Sequence, residues 1–231
     1  MWQTPRMTAA SIRARVRAEM TDEIKTVARR HLATDGANLS LRAVARDLGM
    51  ASSAVYRYFA SRDELLTAMI IDAYDALGGT VEAAVSGTGF PDRFLGVCHA
   101  VRDWALANPH EWALIYGSPV PGYQAPTDTV GPAIRVILVI GRIVGEASAA
   151  GEVPAGEPIG GRLGDDLRYV AERAAPGTPP QLVARAIAAW IHLCGAVSAE
   201  LFGQLNNTIE ARREFFELQM RGAAAMISRP A

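Results

Sequence analysis

Side chains with hydrogen-bond donors are concentrated in one short stretch of the chain, residues 40–62. Serine and tyrosine hydroxyls and arginine guanidinium groups dominate there, and an arginine fork matches two acceptors of a phosphate or of a guanine edge. This chemistry suits contact with a nucleic acid better than it suits catalysis. Arg42, Ser52 and Ser53 are candidate contact residues on this ground.

The charge of the chain is divided between its first quarter and the remainder. The net charge is −1, but residues 1–62 hold 11 of the 23 Lys and Arg residues and 5 of the 24 Asp and Glu residues. The first part therefore carries +6 and the remainder −7. This asymmetry predicts that residues 1–62 meet a polyanion, and chance clustering of solvated charge is the alternative.

No pattern in the sequence indicates an enzyme, a metal site or a cofactor. The chain contains no Gly-x-Ser-x-Gly, P-loop or His-Glu-x-x-His motif. Cys98 and Cys194 each stand alone in apolar helical surroundings, without a Cys or His at metal-ligand spacing. We therefore expect no catalysis, no metal and no cofactor.

The apolar stretches do not indicate a signal peptide or a membrane span. The first residues, MWQTPRM, lack an apolar core, and the run over residues 133–143 is interrupted by Arg135 and Arg142. With 50% hydrophobic residues, the chain is still able to bury a large core. We expect a cytoplasmic protein without a membrane partner.

Apolar residues recur at helical spacing and period-2 runs are scarce, so the sequence predicts an all-α fold of about nine to ten helices. In the first quarter, helices are predicted over residues 12–32, 41–48 and 52–59. Ser40 is a suitable N-cap for the second helix, while Gly36 and Gly49 end the first two. Two short helices joined by a glycine turn are typical of a helix-turn-helix.

The segment LSLRAVARDLGMASSAVYRYFASRDELL resembles the signature of the TetR family of transcriptional regulators, and the resemblance covers roughly residues 15–80. It has a Ser cap, an Ala-x-x-x-Gly turn, a Tyr-x-x-Phe ending and a basic residue opening helix four. The resemblance implies a repressor with a DNA-binding amino-terminal domain and a helical ligand-binding and dimerisation domain. Its implied partners are a palindromic operator in double-stranded DNA, a hydrophobic inducer and a second copy of the chain.

The resemblance also implies roles for single residues. Contacts with bases or nearby phosphates are implied for Arg42, Ser52 and Ser53. Contacts with the DNA backbone are implied for Ser40, Tyr56, Tyr58 and Arg62. For Arg57, a contact with a base and a contact with a phosphate are both left as alternatives. Arg42 is the candidate for reading a guanine, because its fork pairs with O6 and N7.

Structural roles are the alternatives for several of these residues. Ser40 can serve as an N-cap only, Tyr58 can pack in the core of the first domain, and Arg62 can pair with a neighbouring carboxylate. The basic arm either follows the minor groove or stays solvated. Its arginines are Arg6, Arg13, Arg15 and Arg17.

Four parts of the chain are predicted: a flexible basic arm (1–14), a helix-turn-helix domain (15–60), a connecting helix four (61–80) and a body (81–231). Ser61 and Glu64 match a capping box at the start of helix four, and Gly78 and Gly79 offer a break or hinge near its end. Further helices are predicted over residues 91–108, 127–150, 178–205 and 209–227, with a loop over 151–161.

Residues 108–126, NPHEWALIYGSPVPGYQAP, carry aromatic residues among prolines. They resemble an actinobacterial subgroup of the same family, in which a Pro-x-x-Trp helix precedes a Gly-x-Pro-x-Pro-Gly-Tyr loop.

Apolar residues of the central helices are candidates for a ligand cavity, and core packing is the alternative for each of them. The expected ligand is a hydrophobic molecule such as a fatty acid, an ester or a drug. Arg102, Arg135 and Arg142 can face solvent, which leaves no certain counter-ion for an acidic ligand. Ile134, Ile137, Leu138 and Val144 are expected to be buried. The candidate ligand residues are Phe94, Cys98, Val101, Trp112, Ile115, Tyr116, Ile137 and Phe202.

The helix predicted over residues 178–205 has two apolar stripes and therefore needs two partners. The resemblance implies that the last two helices pair with those of a second subunit in a four-helix bundle, and burial of both stripes within one subunit is the alternative. The candidate dimer residues are Ile187, Ile191, Gly195, Ser198, Phe202 and Phe215. The alternatives for function are an activator, a regulator without an inducer and, remotely, an enzyme.

Overall fold

The computed structural model describes residues 9–35 and 39–229. Within these ranges the chain forms ten α-helices, one short 3-10 turn (Thr127–Thr129) and no strand, which confirms the all-α prediction. The helices are α1 (Ala9–Asp35), α2 (Leu41–Asp47), α3 (Ser52–Val55), α4 (Arg62–Ala84), α5 (Phe90–Ala107), α6 (Pro109–Tyr116), α7 (Val130–Ala149), α8 (Gly161–Ala174), α9 (Pro180–Leu201) and α10 (Arg212–Ser228).

The chain divides into two compact units. The head comprises Met1–Ile70 and Pro119–Ala125, and the body comprises Ile71–Ser118 and Pro126–Ala231. The boundary between them falls inside α4.

The head is built on a small apolar core to which every helix of the head contributes. Ile24 of α1, Val44 of α2, Val55 of α3 and Leu65 of α4 have no exposed surface. Phe59, which follows α3, is 4% exposed. Burial of these side chains fixes which faces of α2 and α3 remain in solvent.

Local signals in the sequence set the bounds of α2, as predicted. The Ser40 hydroxyl accepts a hydrogen bond from the Ala43 amide at 3.4 Å. At the other end Gly49 adopts φ +65°, and the amides of Gly49 and Met50 donate to the carbonyls of Arg46 and Ala45 at 3.0 and 2.9 Å. This pair of bonds is a Schellman motif, which requires a left-handed residue and therefore favours glycine.

The predicted arm is helical where it is described. Since α1 begins at Ala9, Arg13, Arg15 and Arg17 lie on a helix and not on an extended arm. Alanine, arginine and glutamate favour a helix here, and Arg15 also pairs with Glu19 at 3.4 Å, one turn later. Arg6 and Gly36 lie outside the described residues.

Helix three is shorter than predicted, because only Ser52–Val55 is α-helical. The chain continues as a turn through Tyr58, in which the amides of Arg57 and Tyr58 donate to the carbonyls three residues before them. The capping box predicted for α4 is present, but its carboxylate accepts from the residue before the cap and not from the cap itself. The Glu64 amide donates to the Ser61 hydroxyl at 3.1 Å, and the Glu64 carboxylate accepts from the Ala60 amide at 2.6 Å.

The predicted break at Gly78 and Gly79 is wrong, because α4 is continuous to Ala84. Gly78 has a packing role instead. A Cβ placed on it would lie 2.7 Å from Nε and 3.0 Å from Cβ of Arg135, so the absent side chain lets Arg135 of α7 cross α4 closely.

The body encloses a larger core, formed by α4, α5, α6, α7, α9 and α10. A buried ion pair spans it, in which Arg102 donates to both carboxylate oxygens of Glu200 at 2.8 and 2.6 Å. Arg102 is 6% exposed and Glu200 8%, so the expectation that Arg102 faces solvent is wrong. The ring centroid of Phe216 lies 5.5 Å from the Arg102 guanidinium carbon.

The buried face of α7 differs from the predicted one. Val144 is buried, but Ile134 is 40% exposed, and Ile137 and Leu138 are partly buried. The residues that α7 buries are Val136, Val139, Ile140, Ile143, Val144 and Ala147. These positions recur at steps of three and four residues, opposite Arg135, Arg142 and Glu146, so periodicity indicates this face and the predicted set lay partly off it.

The segments around α8 and α9 also differ from the prediction. α8 follows the loop over residues 151–161 and was not predicted, and α9 ends at Leu201 instead of near residue 205. By length and composition alone, α9 is the single described helix able to cross a membrane. Core helices of globular proteins meet the same test, and α9 packs against α7, α8 and α10.

The Gly-x-Pro-x-Pro-Gly-Tyr segment forms a turn in the head. The Tyr123 amide donates to the Val120 carbonyl at 3.1 Å, and Gly122 has φ +76° after Pro121, as a type II turn requires. The Tyr123 hydroxyl lies 2.9 Å from the Thr67 hydroxyl on α4. The motif therefore anchors residues 119–125 to the head.

Candidate nucleic-acid interface

Four of the predicted contact residues surround one concavity on the head. Its volume is about 450 Å³, and its wall contains Ser40 and Arg42 of α2, Tyr56 after α3 and Arg62 of α4. The capped starts of α2 and α4 bring these residues together, since Ser40 and Ser61 each precede a helix at this surface. Ser61 also lines the concavity and is absent from the predicted set. The sequence indicated Ser61 only as the cap of helix four.

Arg42 is the basic side chain most available for a ligand at this surface. It is exposed, and it forms no hydrogen bond or ion pair with another residue in the described part of the chain. Tyr56, also exposed, directs a phenol into the same concavity. Arg62 by contrast is partly buried and lies 3.4 Å from Asp63, so part of its charge is already paired.

Ser52 and Ser53 lie at the start of α3, outside that concavity. Ser53 is exposed and Ser52 is partly buried. The dipole of a longer helix favours anions at this end. A helix of four residues has too few aligned peptide units for that effect, so the small size of the two serines is the remaining argument for close approach.

Arg57 and Tyr58 are held by a residue of α1 that was assigned to the arm. Arg17 donates to the Arg57 carbonyl at 3.1 Å, and its guanidinium carbon lies 5.0 Å from the centroid of the Tyr58 ring. The Arg57 side chain remains exposed, whereas Tyr58 is partly buried. Arg17 therefore positions the turn after α3, a role that only tertiary contact reveals.

The end of α2 is fixed to α1 by a second polar contact. His31 Nε2 lies 2.8 Å from Asp47 Oδ2. The hydrogen bond from His31 lowers the pKa of Asp47 below its ordinary value, and the nearby charge of Arg46 acts in the same direction. Both ends of α2 are thus restrained beside the exposed Arg42.

The candidate ligand residues differ in their burial within the body. Phe94, Cys98, Val101 and Trp112 are fully buried in the core of the body, where burial also raises the pKa of Cys98. Ile115 and Tyr116 are partly buried against this core, and Ile137 lines a narrow crevice under α8. Phe202, at the end of α9, is 49% exposed.

The candidate dimer residues divide into exposed and internally packed groups. Ile191 is 65% exposed, Phe202 is 49% exposed, and a Cβ on Gly195 would meet no atom within 4 Å. Ser198 accepts a hydrogen bond from Trp112 Nε1 at 3.1 Å, and Ile187 packs against the α8 cluster. Phe215 is partly buried. On α10 the exposed apolar residues are Leu218 and Met226, which sequence reasoning missed.

Comparisons with known proteins agree with the head and body described above. A sequence profile for "Bacterial regulatory proteins, tetR family" matches residues 24–69, and one for "Tetracyclin repressor-like, C-terminal domain" matches residues 94–223. The HTH-type transcriptional regulators Rv1816 of Mycobacterium tuberculosis and Mb1846 of Mycobacterium bovis are each 40% identical over 194 residues. The match covers 81% of this chain and 83% of each relative.

Solved structures give the same result. The crystal structure of the regulatory protein SCO4313 is 33% identical, with a TM-score of 0.74 and coverage of 95% of this chain and 98% of that chain. A tetR-family regulatory protein from Rhodococcus RHA1 shares the fold at 17% identity, with a TM-score of 0.63 and coverage of 91% and 98%. The relatives are transcriptional regulators and not enzymes. The chain therefore belongs to the TetR family of DNA-binding transcriptional regulators.

Proposed function

We propose that the protein is a homodimeric cytoplasmic repressor, which binds a palindromic operator through its head and is released from it by a small molecule with a hydrophobic body. One observation carries the DNA-binding part of this proposal: Ser40, Arg42, Tyr56 and Arg62 meet around one concavity of the head. Their hydrogen-bond donors suit phosphates and base edges.

Electrostatics support the same face as the DNA contact. Residues 1–62 carry +6 although the whole chain carries −1, so a polyanion is attracted to the head and repelled by the body. Within the head, the exposed guanidinium groups of Arg42 and Arg57 have no carboxylate partner among the described residues. Arg42 is the base-reading residue in this proposal, and Tyr56 holds the sugar-phosphate backbone.

The dimer rests on apolar side chains that the single chain leaves in solvent. Ile191, Leu218 and Met226 are 65%, 66% and 42% exposed, on the last two helices. Gly195 of α9 and Gly222 of α10 have open space where a Cβ would be, which permits close approach of another helix. Exposed apolar residues on adjoining helices mark a surface for protein association.

Repression and release are the finer parts of the proposal. A regulator bound to an operator blocks transcription by occupancy, and a ligand releases it only if it binds the DNA-free conformation more tightly. An activator role, or a regulator without an inducer, is the alternative.

A mobility-shift titration with DNA from upstream of the protein's own gene tests the proposal. We expect a retarded complex at nanomolar to micromolar protein, lost when Arg42→Ala and Tyr56→Phe are combined, and a dimeric mass by light scattering. Transcription in vitro from the same DNA separates the alternatives, since a repressor lowers transcript yield and an activator raises it. Failure to prefer this DNA over a shuffled sequence, or a monomeric mass, would contradict the proposal.

A further inference from the structure

The body carries an open cleft that none of the candidate ligand residues lines. It has a volume of about 670 Å³ and lies between the last turns of α4, the outer face of α7 and the end of α8. Apolar side chains such as Leu138, Val139 and Pro176 form much of its wall. A volume of this size suits a small organic molecule.

Two acidic side chains of the cleft are already neutralised. Arg135 of α7 pairs with Glu82 at 2.6 Å, and it also binds Asp75 at 2.7 Å on the preceding turns of α4. The hydrogen bonds from Arg135 lower the pKa of Glu82. On the other side Glu146 pairs with Arg93 at 2.5 Å. These carboxylates are therefore not available to balance further positive charge.

Two arginines of the cleft remain without a carboxylate. Arg142 is exposed and makes no hydrogen bond or ion pair within the described ranges of the chain, although its charge also contributes to lowering the pKa of Glu82. Arg173 lies over the ring of Tyr169, 3.5 Å from its centroid, and donates to the Tyr169 carbonyl at 3.3 Å. This stacking restrains the Arg173 side chain while its remaining donors stay free for an anion. The cleft therefore offers two guanidinium groups to a negative head group.

An apolar crevice continues from the cleft. It shares Gly141, Ala174, Ala175 and Thr178 with the cleft, and it extends under α8 between Ile137 of α7 and Val183 of α9. Its volume is about 20 Å³, scarcely more than the ~10–15 Å³ that one water molecule requires. Because its wall is almost wholly apolar, it suits a hydrocarbon group better than water, and a chain of several carbons enters only where α8 and α9 move apart.

The packing that closes the crevice is thin. α8 is held by a small cluster, in which Leu167, Ala171 and Val183 are the buried members. Two other apolar residues of α8, Leu163 and Tyr169, are 59% and 57% exposed, so the helix buries few apolar groups against the body. A tail that enters between α8 and α9 has little packing to displace, and it gains apolar contacts on both sides.

We propose that this cleft binds an anionic amphiphile. The carboxylate or phosphate head group lies between the guanidinium groups of Arg142 and Arg173, and the hydrocarbon tail enters the crevice under α8. The inference rests on the proposed function, since such a molecule is the effector that would act on DNA binding. It narrows the expected class of hydrophobic inducers to molecules that carry a negative charge at one end.

Three probes of equal chain length test the site on the full chain without DNA: decanoate, decyl phosphate and 1-decanol, each below its micelle concentration. Isothermal titration calorimetry should show that at least one anion binds about tenfold or more tightly than the alcohol, as expected for paired charges in a partly desolvated site. The stronger of the two anions identifies the head group.

Single substitutions locate the site. Arg142→Ala and Arg173→Ala should each weaken anion binding about tenfold and leave decanol affinity unchanged. Arg162→Ala is the matched control, because Arg162 is exposed on α8 and does not line the cleft. Val170→Phe, which fills the crevice, should weaken decanoate more than hexanoate, and a melting curve checks that this variant is folded.

Several results would overturn the site: no binding of any probe, equal affinity for the alcohol and the anions, or an equal loss on Arg162→Ala. An assay of DNA release by decanoate distinguishes a wrong binding site from a wrong proposed function. If decanoate releases DNA from Arg142→Ala as readily as from the wild type, the proposed repressor function is supported and the proposed binding site in the cleft is contradicted. If the anion binds as expected but the protein binds no operator, the proposed function is contradicted and the proposed site is not.

Discussion

At the scale of single residues, Arg42 combines the features that base reading needs. It is the second residue of α2, its guanidinium is exposed, and the cap at Ser40 and the Schellman motif at Gly49 hold its helix at both ends. A side chain on a rigid element reaches a base edge with less loss of entropy than one on a mobile loop. Tyr56 lines the same concavity, but a single hydroxyl cannot distinguish bases as a bidentate fork does.

We expect Arg42→Ala to weaken operator binding by about 1–3 kcal/mol and to relax preference at one base pair of each half-site. Tyr56→Phe should weaken binding to all sequences alike, because it removes a backbone contact. Fluorescence anisotropy with a set of single-base operator variants measures both effects. Unchanged affinity of Arg42→Ala for every variant would remove Arg42 from the interface.

The ion pair between Arg102 and Glu200 is the residue-scale feature with the largest expected effect on folding. Both side chains are 7% exposed, so removal of the Glu200 charge leaves the buried Arg102 guanidinium with only the Asp103 carboxylate, at 3.4 Å. Glu200→Gln should therefore lower the free energy of unfolding by about 3–5 kcal/mol. The double variant Arg102→Met with Glu200→Met should lose less, since no charge remains buried.

Urea denaturation of the three proteins measures this difference. The exposed pair of Arg221 and Glu217 on α10 is the matched control, and Arg221→Ala should change stability by about 0.5 kcal/mol or less. An effect of Glu200→Gln as small as that of the control would show that the pair is solvated in solution.

At the scale of elements, the bounds of α2 were predicted because a serine cap and a left-handed glycine fix them locally. α8 was missed although Leu163, Leu167, Val170 and Ala174 recur at helical spacing, because the Gly- and Pro-rich stretch before it was interpreted as a loop and no helix was assigned after it. The face of α7 was assigned only in part, although its buried residues recur at three- and four-residue steps opposite Arg135, Arg142 and Glu146.

The candidate site was likewise predicted only in part. Ser40, Arg42, Tyr56 and Arg62 were predicted from residue types and a family resemblance, and the structure places them around one concavity. The position of Arg17 against Tyr58 depends on how α1 packs on the turn after α3, a contact of 41 residues' separation that no local pattern encodes. The cleft of the body likewise joins α4 to α7 and α8, although α5 and α6 lie between them in the sequence.

The crossing of α4 and α7 gives an element-scale prediction from two neighbouring glycines. Gly79→Ala should stabilise the protein by about 0.5–1 kcal/mol, because alanine favours the helix and only one Arg135 atom lies near, at 3.9 Å. Gly78→Ala has the same helical gain. Its Cβ, however, would lie 2.7 Å from Arg135 Nε and displace that side chain from Asp75 and Glu82.

We therefore expect Gly78→Ala to be less stable than Gly79→Ala by about 1 kcal/mol, the size of a partly exposed ion-pair network together with local repacking. Urea denaturation of the two variants gives this difference directly, with each glycine serving as control for the other. Equal stabilisation by both substitutions would mean that Arg135 does not need the space above Gly78.

At the scale of the whole molecule, the distribution of charge and of exposed apolar surface assigns different tasks to the two units. The positive charge lies in the first quarter of the sequence, and the exposed apolar residues of the last two helices lie in the body. In the proposed dimer a palindromic operator requires two heads, so we expect DNA affinity to depend on the apolar surface of α9 and α10 as well as on the head.

A charge placed on that apolar surface should therefore abolish operator binding without touching the head. We expect Ile191→Arg combined with Leu218→Glu to give a monomer by light scattering at micromolar concentration, since both side chains are about two-thirds exposed in the single chain and would be buried in a dimer. DNA with two half-sites about 34–36 Å apart should then bind no more tightly than a single half-site. Leu163→Glu, an equally exposed position on α8, is the matched control and should remain dimeric with full operator affinity. A dimeric mass for the double variant would place the subunit interface on another face, and a monomer that still bound the two-half-site operator as tightly as the wild type would show that DNA recognition does not require the dimer.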